Sequence, residues 1–491
     1  MRIPVLFLNE PFDKPLSMSK HLDAIVVGSG PNGLAAAIYL QQKGLSTAIY
    51  EQASEVGGAC RSGELTLPGY IHDLGSAIHP LGMASPFFKT LPLDEYGLEW
   101  VYPDIPFAHP FADGSGIAAY QDIDQTARQL GRDQHTYFEM MNWLTENWAD
   151  LEGDILSPMK LPNHPIKMGR FGMSALLPVT TFSNLFFKEE KTRAFFYGAA
   201  AHSTLPLTKL ASASFGLVLH GVAHKYGWPF PRGGAKNIAE SLAAYYRSMG
   251  GIVFRDSPIQ DINELPRAEA YLFDLTPKQL LNIKGTNFGE GYRKRLENYK
   301  YGKGVFKIDW ALSEPIPFLS EECRKAGTIH FGYSTKEIEN SARRSGKGYV
   351  TPDPYVLLAQ HTIFDSSRAP KGKHTAWAYC HVPNGDETDM TSFIEAQIEK
   401  AAPGFKDLIL ARHTQTTSQM EAWNPNLVGG DINGGLQDIS QLFTRPVASF
   451  TPYNTPDKRV YICSSSTPPG GGVHGMCGYN AAEKAYSDHF K

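Results

Sequence analysis

Ala24-Ile25-Val26-Val27-Gly28-Ser29-Gly30-Pro31-Asn32-Gly33-Leu34-Ala35-Ala36-Ala37 runs from a short apolar strand through a glycine turn into a small-residue helix. The spacing is that of a dinucleotide grip. Gly28 permits the tight turn, Gly30 lets backbone approach a pyrophosphate, and Gly33 lets the helix pack closely on the strand, with its N-terminal N–H groups aimed at the phosphates. Ser46-Thr47-Ala48-Ile49-Tyr50-Glu51 then reads as a second strand ending in an acid suited to a ribose hydroxyl pair, which is the context the glycine pattern requires.

Outward from this grip, Gly57-Gly58-Ala59-Cys60-Arg61 is a second glycine-rich loop able to pass close to a flat or phosphorylated ligand, and Arg61 offers a fork for a phosphate. Residues from about 115 to 228 lose strand character and read as helices near 136–148, 189–202 and 210–225. Pro229-Phe230-Pro231-Arg232-Gly233-Gly234-Ala235 leads into a helix over 237–249, and strands at 250–254 and 270–275 resume the dinucleotide-type pattern. Strands mixed with helix occupy 300–450, with strands over 304–312, 355–362 and 374–382 and a helix over 392–402. Near the far end, the strand 459–463 precedes Gly470-Gly471-Gly472-Val473-His474 and a helix from about Gly478, a second place where backbone N–H groups can meet an anion or a ring.

The 491 residues suffice for two or three domains, and the net charge of −4, without a long basic run, argues against a nucleic-acid partner. The five cysteines, Cys60, Cys323, Cys380, Cys463 and Cys477, show neither a pairing framework nor metal-ligand spacing, so no metal is expected and a reducing, cytoplasmic setting fits. Met1 to Lys20 is broken by Pro4, Asn9, Glu10 and Pro11 and does not read as a signal peptide. No apolar run approaches a membrane span, so any membrane contact is expected to be peripheral.

Three motifs in order, GSGPNG with EVGGACRS, FPRGG with MGGIVFRDSPIQDI, and YICSSSTPPGGGVHGMCGYNAAEKA, resemble the phytoene desaturase-like branch of the FAD-dependent oxidoreductases, which is related to flavin-containing amine oxidases. The resemblance implies an α/β fold: a Rossmann-type FAD-binding domain of glutathione-reductase type, assembled from segments 22–112, 229–299 and 456–491. A helical cap over 113–228 and a mixed-sheet substrate domain over 300–455 complete it. It implies that Gly28, Ser29, Gly30, Pro31, Asn32 and Gly33 face the FAD pyrophosphate, with Glu51 at the adenosine ribose and Gln52 a further cofactor-binding position. Gly58, Ala59 and Arg61 lie along the pyrophosphate and ribityl chain, Ile259 meets the adenine through its backbone, Ser466, Gly472, Val473 and His474 lie near the ribityl and isoalloxazine, and Ser76 and Ala77 are further cofactor-binding positions. The arm Asn263-Glu264-Leu265-Pro266-Arg267 is shorter than the β-hairpin of many relatives. No second glycine fingerprint for a nicotinamide nucleotide is present, so oxygen, a quinone or another protein is the expected electron acceptor.

The strand Gly304-Val305-Phe306-Lys307-Ile308-Asp309-Trp310-Ala311-Leu312 alternates, with Lys307 and Asp309 on one face. Lys307 matches the lysine that holds a water near the flavin in the amine oxidases; the alternative is a solvent-facing strand. His474 is the second catalytic candidate, as a donor near the ring, a substrate-facing acid or base, or a helix cap, and His79 is a third. Cys477 is a candidate for covalent flavin attachment. The expected activity is hydride removal from, or isomerisation of, a largely apolar isoprenoid or polyene. The rivals are an amine or alcohol oxidase using oxygen and a flavoprotein whose FAD is structural.

Overall fold

The computed structural model describes residues 21–442 and 444–491, so the reading of Met1 to Lys20 as lacking a signal peptide lies outside the described residues. Two sheets dominate. The first has five strands in the order Val460–Ile462, Ala268–Phe273, Leu22–Val27, Thr47–Tyr50, Ile252–Phe254, and all four pairings are parallel. Its strands read as continuous apolar runs because helices cover both faces of a parallel sheet. The helix Pro31–Gln42 lies on it with Asn32 to Leu40 buried, flanked by the helices Lys236–Ser248 and Met476–His489. Small residues make this possible: a Cβ on Gly478 would collide with the Asn32 carbonyl, so the two helices meet backbone to backbone.

The second sheet is mixed and seven-stranded, in the order Ile409–Gln415, Gly304–Leu312, His374–Val382, Val356–Ala359, Ala326–Phe331, Ile105–Pro110, Gly116–Ala119. Ile105–Pro110 pairs parallel with Ala326–Phe331, and the other pairings are antiparallel. One face packs on the helix Thr391–Ala401 through Trp310, Ile394 and Phe405. The other packs on the helical region through Phe107, Tyr137, Trp148, Phe195 and Trp228. That region holds Gln134–Glu146, Glu190–Ala200 and Ser212–Tyr226, close to the expected helices.

Two expectations are corrected. Ile105–Pro110, placed in the first dinucleotide-binding segment by the boundary at 112, belongs to the mixed sheet, because its register partners are Ala326 and Thr328. Gly116–Ala119 is a strand inside the stretch expected to be helical, held antiparallel to Phe107–Pro110. Both segments are buried and short, and an apolar run of that length carries no mark of which sheet will claim it.

Candidate active site

The carboxyl ends of the parallel strands and one face of the mixed sheet open into a single cavity of about 1050 Å³. Its polar end is built by the glycine turn. A Cβ on Gly30 would stand 2.6 Å from Asp274 Oδ2 and would have to displace that carboxylate, and a Cβ on Gly33 would collide with the Gly28 carbonyl oxygen, so Gly33 tolerates no side chain. Gly28, Ser29, Gly30, Pro31 and Asn32 line the cavity; Gly33 does not, and serves to seat the helix on the strand. Glu51 is fixed at the next strand end: Ser29 N–H and Oγ donate to its Oε2 at 2.8 and 2.7 Å, and Ala53 N–H donates to Oε1. Gln52, Gly58, Ala59, Arg61, Ser76, Ala77 and Ile259 line the same wall. The Arg61 guanidinium is held over the Trp423 ring, 4.6 Å from its centroid, while its Nε donates to the Gly58 carbonyl at 3.0 Å.

Asp274 was missed in the sequence. It follows the strand Ala268–Phe273, and Gly33 N–H donates to its Oδ2 at 3.1 Å, beside the helix N-terminus. Burial, reinforced by the Glu51 charge, pushes its carboxyl up to about 7 despite that hydrogen bond. The signal was present in principle: it stands at the carboxyl end of a strand next to the glycine strand, where open α/β sheets place their ligands.

Gly472, Val473 and His474 line the cavity, whereas Ser466 does not. Its Oγ is turned into the wall, donating to the Gly434 carbonyl at 2.8 Å and meeting the Thr276 hydroxyl at 3.1 Å, and Ser465 lines the cavity in its place. His474 takes one of its expected roles, that of a helix cap. Its Nδ1 accepts from Met476 N–H at 3.0 Å, capping the helix Met476–His489, which leaves the proton of the neutral ring on Nε2. Burial lowers its pKa to about 4, so near neutral pH it is a donor and not a proton shuttle. His79 also lines the cavity and donates to or accepts from Ser76 Oγ at 3.1 Å, with its pKa lowered to about 3, chiefly by burial. Cys477 Sγ faces the Thr467 and Gly470 carbonyls behind the wall, with burial pushing its thiol up to about 12, which does not suit covalent attachment.

The other end of the cavity is a chamber walled by side chains of the mixed sheet and the helical region. Lys307 is 1% exposed and lines it, so the solvent-facing alternative for this strand is excluded. Its Nζ pairs with Asp309 Oδ2, and His72 and His413 approach the same carboxylate at 3.6 and 3.9 Å. Burial works to raise the Asp309 pKa, but Lys307 with the two imidazoles outweighs it and holds the carboxyl below its usual range. Across the sheet Lys307 stands beside Tyr379, and Asp309 beside Trp377, both of which line the chamber. His202, Trp228 and Thr328 also line it, and His202 Nε2 meets His330 Nε2 at 2.9 Å.

Five buried polar atoms of cavity-lining residues have no protein partner: Asn32 Oδ1 at the glycine turn, His79 Nδ1, Gln437 Oε1, and Thr328 Oγ1 and Trp377 Nε1 in the chamber. Such atoms are costly unless a ligand or water satisfies them. With the glycine cradle, they fit a dinucleotide that extends toward a chamber with its own polar contacts. Among the described residues, no group of three or more histidine, cysteine or acidic side chains is arranged to hold a metal, and all five cysteines are buried and unpaired.

Comparison with known proteins agrees with this geometry. Residues 26–91 match the family described as an NAD(P)-binding Rossmann-like domain. The chain is 24% identical to the mouse pyridine nucleotide-disulfide oxidoreductase domain-containing protein 2, covering 95% of this chain and 93% of that one. It is also 24% identical to a lycopene-forming phytoene desaturase of Paracoccus sp. (93% and 95%), and 21% identical to one of the subunits of limonene dehydrogenase from Castellaniella defragrans (96% of each). Among solved structures, an oxidoreductase from Methanosarcina mazei superposes with a TM-score of 0.64 at 15% identity (94% and 100% covered). Putrescine oxidase bound to putrescine superposes with 0.60 at 17% identity (95% and 99%). The chain is an oxidoreductase that resembles the phytoene desaturases over nearly its whole length and shares its fold with the amine oxidases.

Proposed function

We propose that the chain binds FAD and takes hydride from, or isomerises, a largely apolar organic substrate, an isoprenoid or polyene. The observation that carries this is the single cavity running from the glycine turn to a chamber walled by His202, Trp228, Lys307, Trp377 and Tyr379. Relatives named for phytoene and limonene support an apolar isoprenoid substrate. FAD, when bound, supplies the two-electron acceptor.

The chain's own residues do the rest. Gly28 to Asn32, with the helix N-terminus, hold the pyrophosphate, Glu51 accepts from ribose hydroxyls, and Arg61 lies beside the Gly58 turn along the phosphates. His474, its Nδ1 engaged in capping the last helix, would stand at the ring end of the cofactor. Lys307, paired with Asp309, orients a water or anion in the chamber, and the aromatic walls exclude bulk solvent. Oxygen, a quinone or another protein is the proposed acceptor, and a reducing compartment such as the cytoplasm suits the five unpaired cysteines.

Lys307 beside Trp377 and Tyr379 favours one second reading, oxidation of an amine or alcohol by oxygen. An anaerobic screen of a chemically broad library, read at the flavin absorbance, tests both. Bleaching by carotenoid precursors or related isoprenoids supports the first reading. Bleaching by amines with peroxide released in air replaces it with the second. A flavin spectrum that no compound bleaches overturns both in favour of a structural cofactor.

A further inference from the structure

The carboxyl group of Asp274 lies inside the glycine turn. Phe273 pairs with Val27 across the parallel sheet, and Asp274 N–H donates to the Val27 carbonyl at 2.8 Å, which sets the residue beside Gly28. Asn426 Nδ2 donates to the Asp274 carbonyl at 2.9 Å, and Thr276 N–H donates to Asn426 Oδ1 at 2.8 Å. The backbone is thus held from both sides, and the side chain projects between Gly30 and Gly33.

The two carboxyl oxygens have different surroundings. Oδ2 accepts from Gly33 N–H at 3.1 Å, one of the amides that the start of a helix leaves without an internal partner. Oδ1 has no hydrogen-bond partner among the described residues, although Asp274 is only 8% exposed and lines the cavity. A polar atom so placed is available to a ligand.

Charge decides the form in which it meets that ligand. Among the described residues no lysine, arginine or histidine pairs with Asp274, and the charge that acts on it is the Glu51 carboxylate, at the end of the strand Thr47–Tyr50. Cys463 and Cys477, the other titratable groups that interact with it, are thiols that burial keeps protonated. An ionised Asp274 would therefore set an uncompensated anion against the phosphates of a dinucleotide held by the same turn. The neutral acid instead accepts from Gly33 N–H through one oxygen and donates through the other. Burial has already moved the group up to about 7, so the proton is within reach near neutrality.

We propose that Asp274 holds the dinucleotide as the neutral acid, its Oδ1 donating to a phosphate oxygen, so that cofactor binding takes up one proton from solvent and cofactor release returns it. The proposal rests on the reading of the turn as a site for FAD. Below about pH 7 the free site already carries the proton and binding is insensitive to pH; above it, each pH unit weakens binding about tenfold. Other groups do not imitate this. His79, His202 and His474, which line the cavity, stay neutral throughout, held at about 3, 3 and 4, chiefly by burial. Lys303, brought down to about 7 by burial, donates to the Ala342 carbonyl and does not line the cavity.

The test dilutes the FAD-loaded protein across a pH series and reads released FAD by its fluorescence, which gives Kd at each pH. The slope of log Kd against pH counts the protons taken up on binding. The expected slope is near zero below about pH 6 and approaches one above about pH 8, with Kd about tenfold higher at about pH 8 than at about pH 6. Asp274→Asn keeps the size of the side chain and an N–H donor, and its slope is expected to stay near zero throughout, whereas any contribution of Lys303 would survive in it. Circular dichroism at each pH is the folding control, and the wild-type slope decides alone if the variant does not fold. A flat wild-type profile, or the same slope in a folded variant, overturns the proposal and leaves the FAD reading standing. Protein that purifies without flavin and binds no added FAD at any pH overturns that reading, and the proposal with it.

Discussion

The two ends of the cavity are made by different means. At the parallel sheet much of the wall is backbone, with the glycine turn, the Gly58 loop and the Gly472 turn lining it. At the mixed sheet the wall is side chain, with Lys307, Trp377, Tyr379 and Thr328 projecting from neighbouring strands and His202 and Trp228 from the helical region. The first recognises what all dinucleotides share, and the second is free to vary with the substrate.

Breaking the backbone end gives the largest effect. Gly33→Val drives a branched side chain into the Gly28 carbonyl and is expected to abolish bound flavin and destabilise the fold by about 3 kcal/mol or more, read as flavin content after gel filtration and as a melting temperature. At the chamber, Lys307→Met leaves the Asp309 carboxylate buried without its cation, at a cost of about 3–5 kcal/mol. Adding Asp309→Leu recovers much of that stability, whereas stopped-flow rates of flavin reduction or reoxidation stay slow. Unchanged rates in Lys307→Met would remove the lysine from the chemistry.

Asp274 sharpens the comparison through pH. Its folded pKa of about 7 is raised above that of the unfolded chain, so the folded state keeps a proton that the unfolded state has released. The resulting penalty is absent in acid, grows as pH rises from about 4 and is complete above about 7. Asp274→Asn is therefore expected to raise the melting temperature at about pH 8 and leave it unchanged at about pH 4. It also flattens a cofactor affinity that otherwise weakens as a carboxylate forms beside the phosphates. The smallest effect is expected from Arg61→Lys, which keeps the charge but loses the fork and the stack on Trp423. Cofactor affinity falls by about fivefold without a change in melting temperature, measured by titration of the apoprotein.

The same contrast explains what could be read in advance. A glycine turn is legible because its geometry forbids every other residue, so Gly28, Gly30 and Gly33 carried their own explanation. The chamber is assembled by register, Lys307 against Tyr379 and Asp309 against Trp377, and nothing local announces such partners. Alternation showed that Lys307 and Asp309 share a face but not that the face is buried. At Ser465 and Ser466 the ambiguity is a single residue, since adjacent serines point to opposite sides of the wall. A boundary at 112 leaves Ile105–Pro110 with the first dinucleotide-binding segment, because its partner in the mixed sheet, Ala326–Phe331, lies in a distant part of the chain.

The backbone contact between Asn32 and Gly478 has a consequence for biosynthesis. The glycine turn leaves the ribosome early, yet the helix Met476–His489 that packs on it, and the turn holding His474, emerge only after both sheets have been translated. On the proposed cofactor reading, a nascent chain is expected to carry an open half-site, with loading completed once the final helix docks. Any nonsense lesion upstream of that helix is expected to yield colourless protein, however well its two sheets have formed.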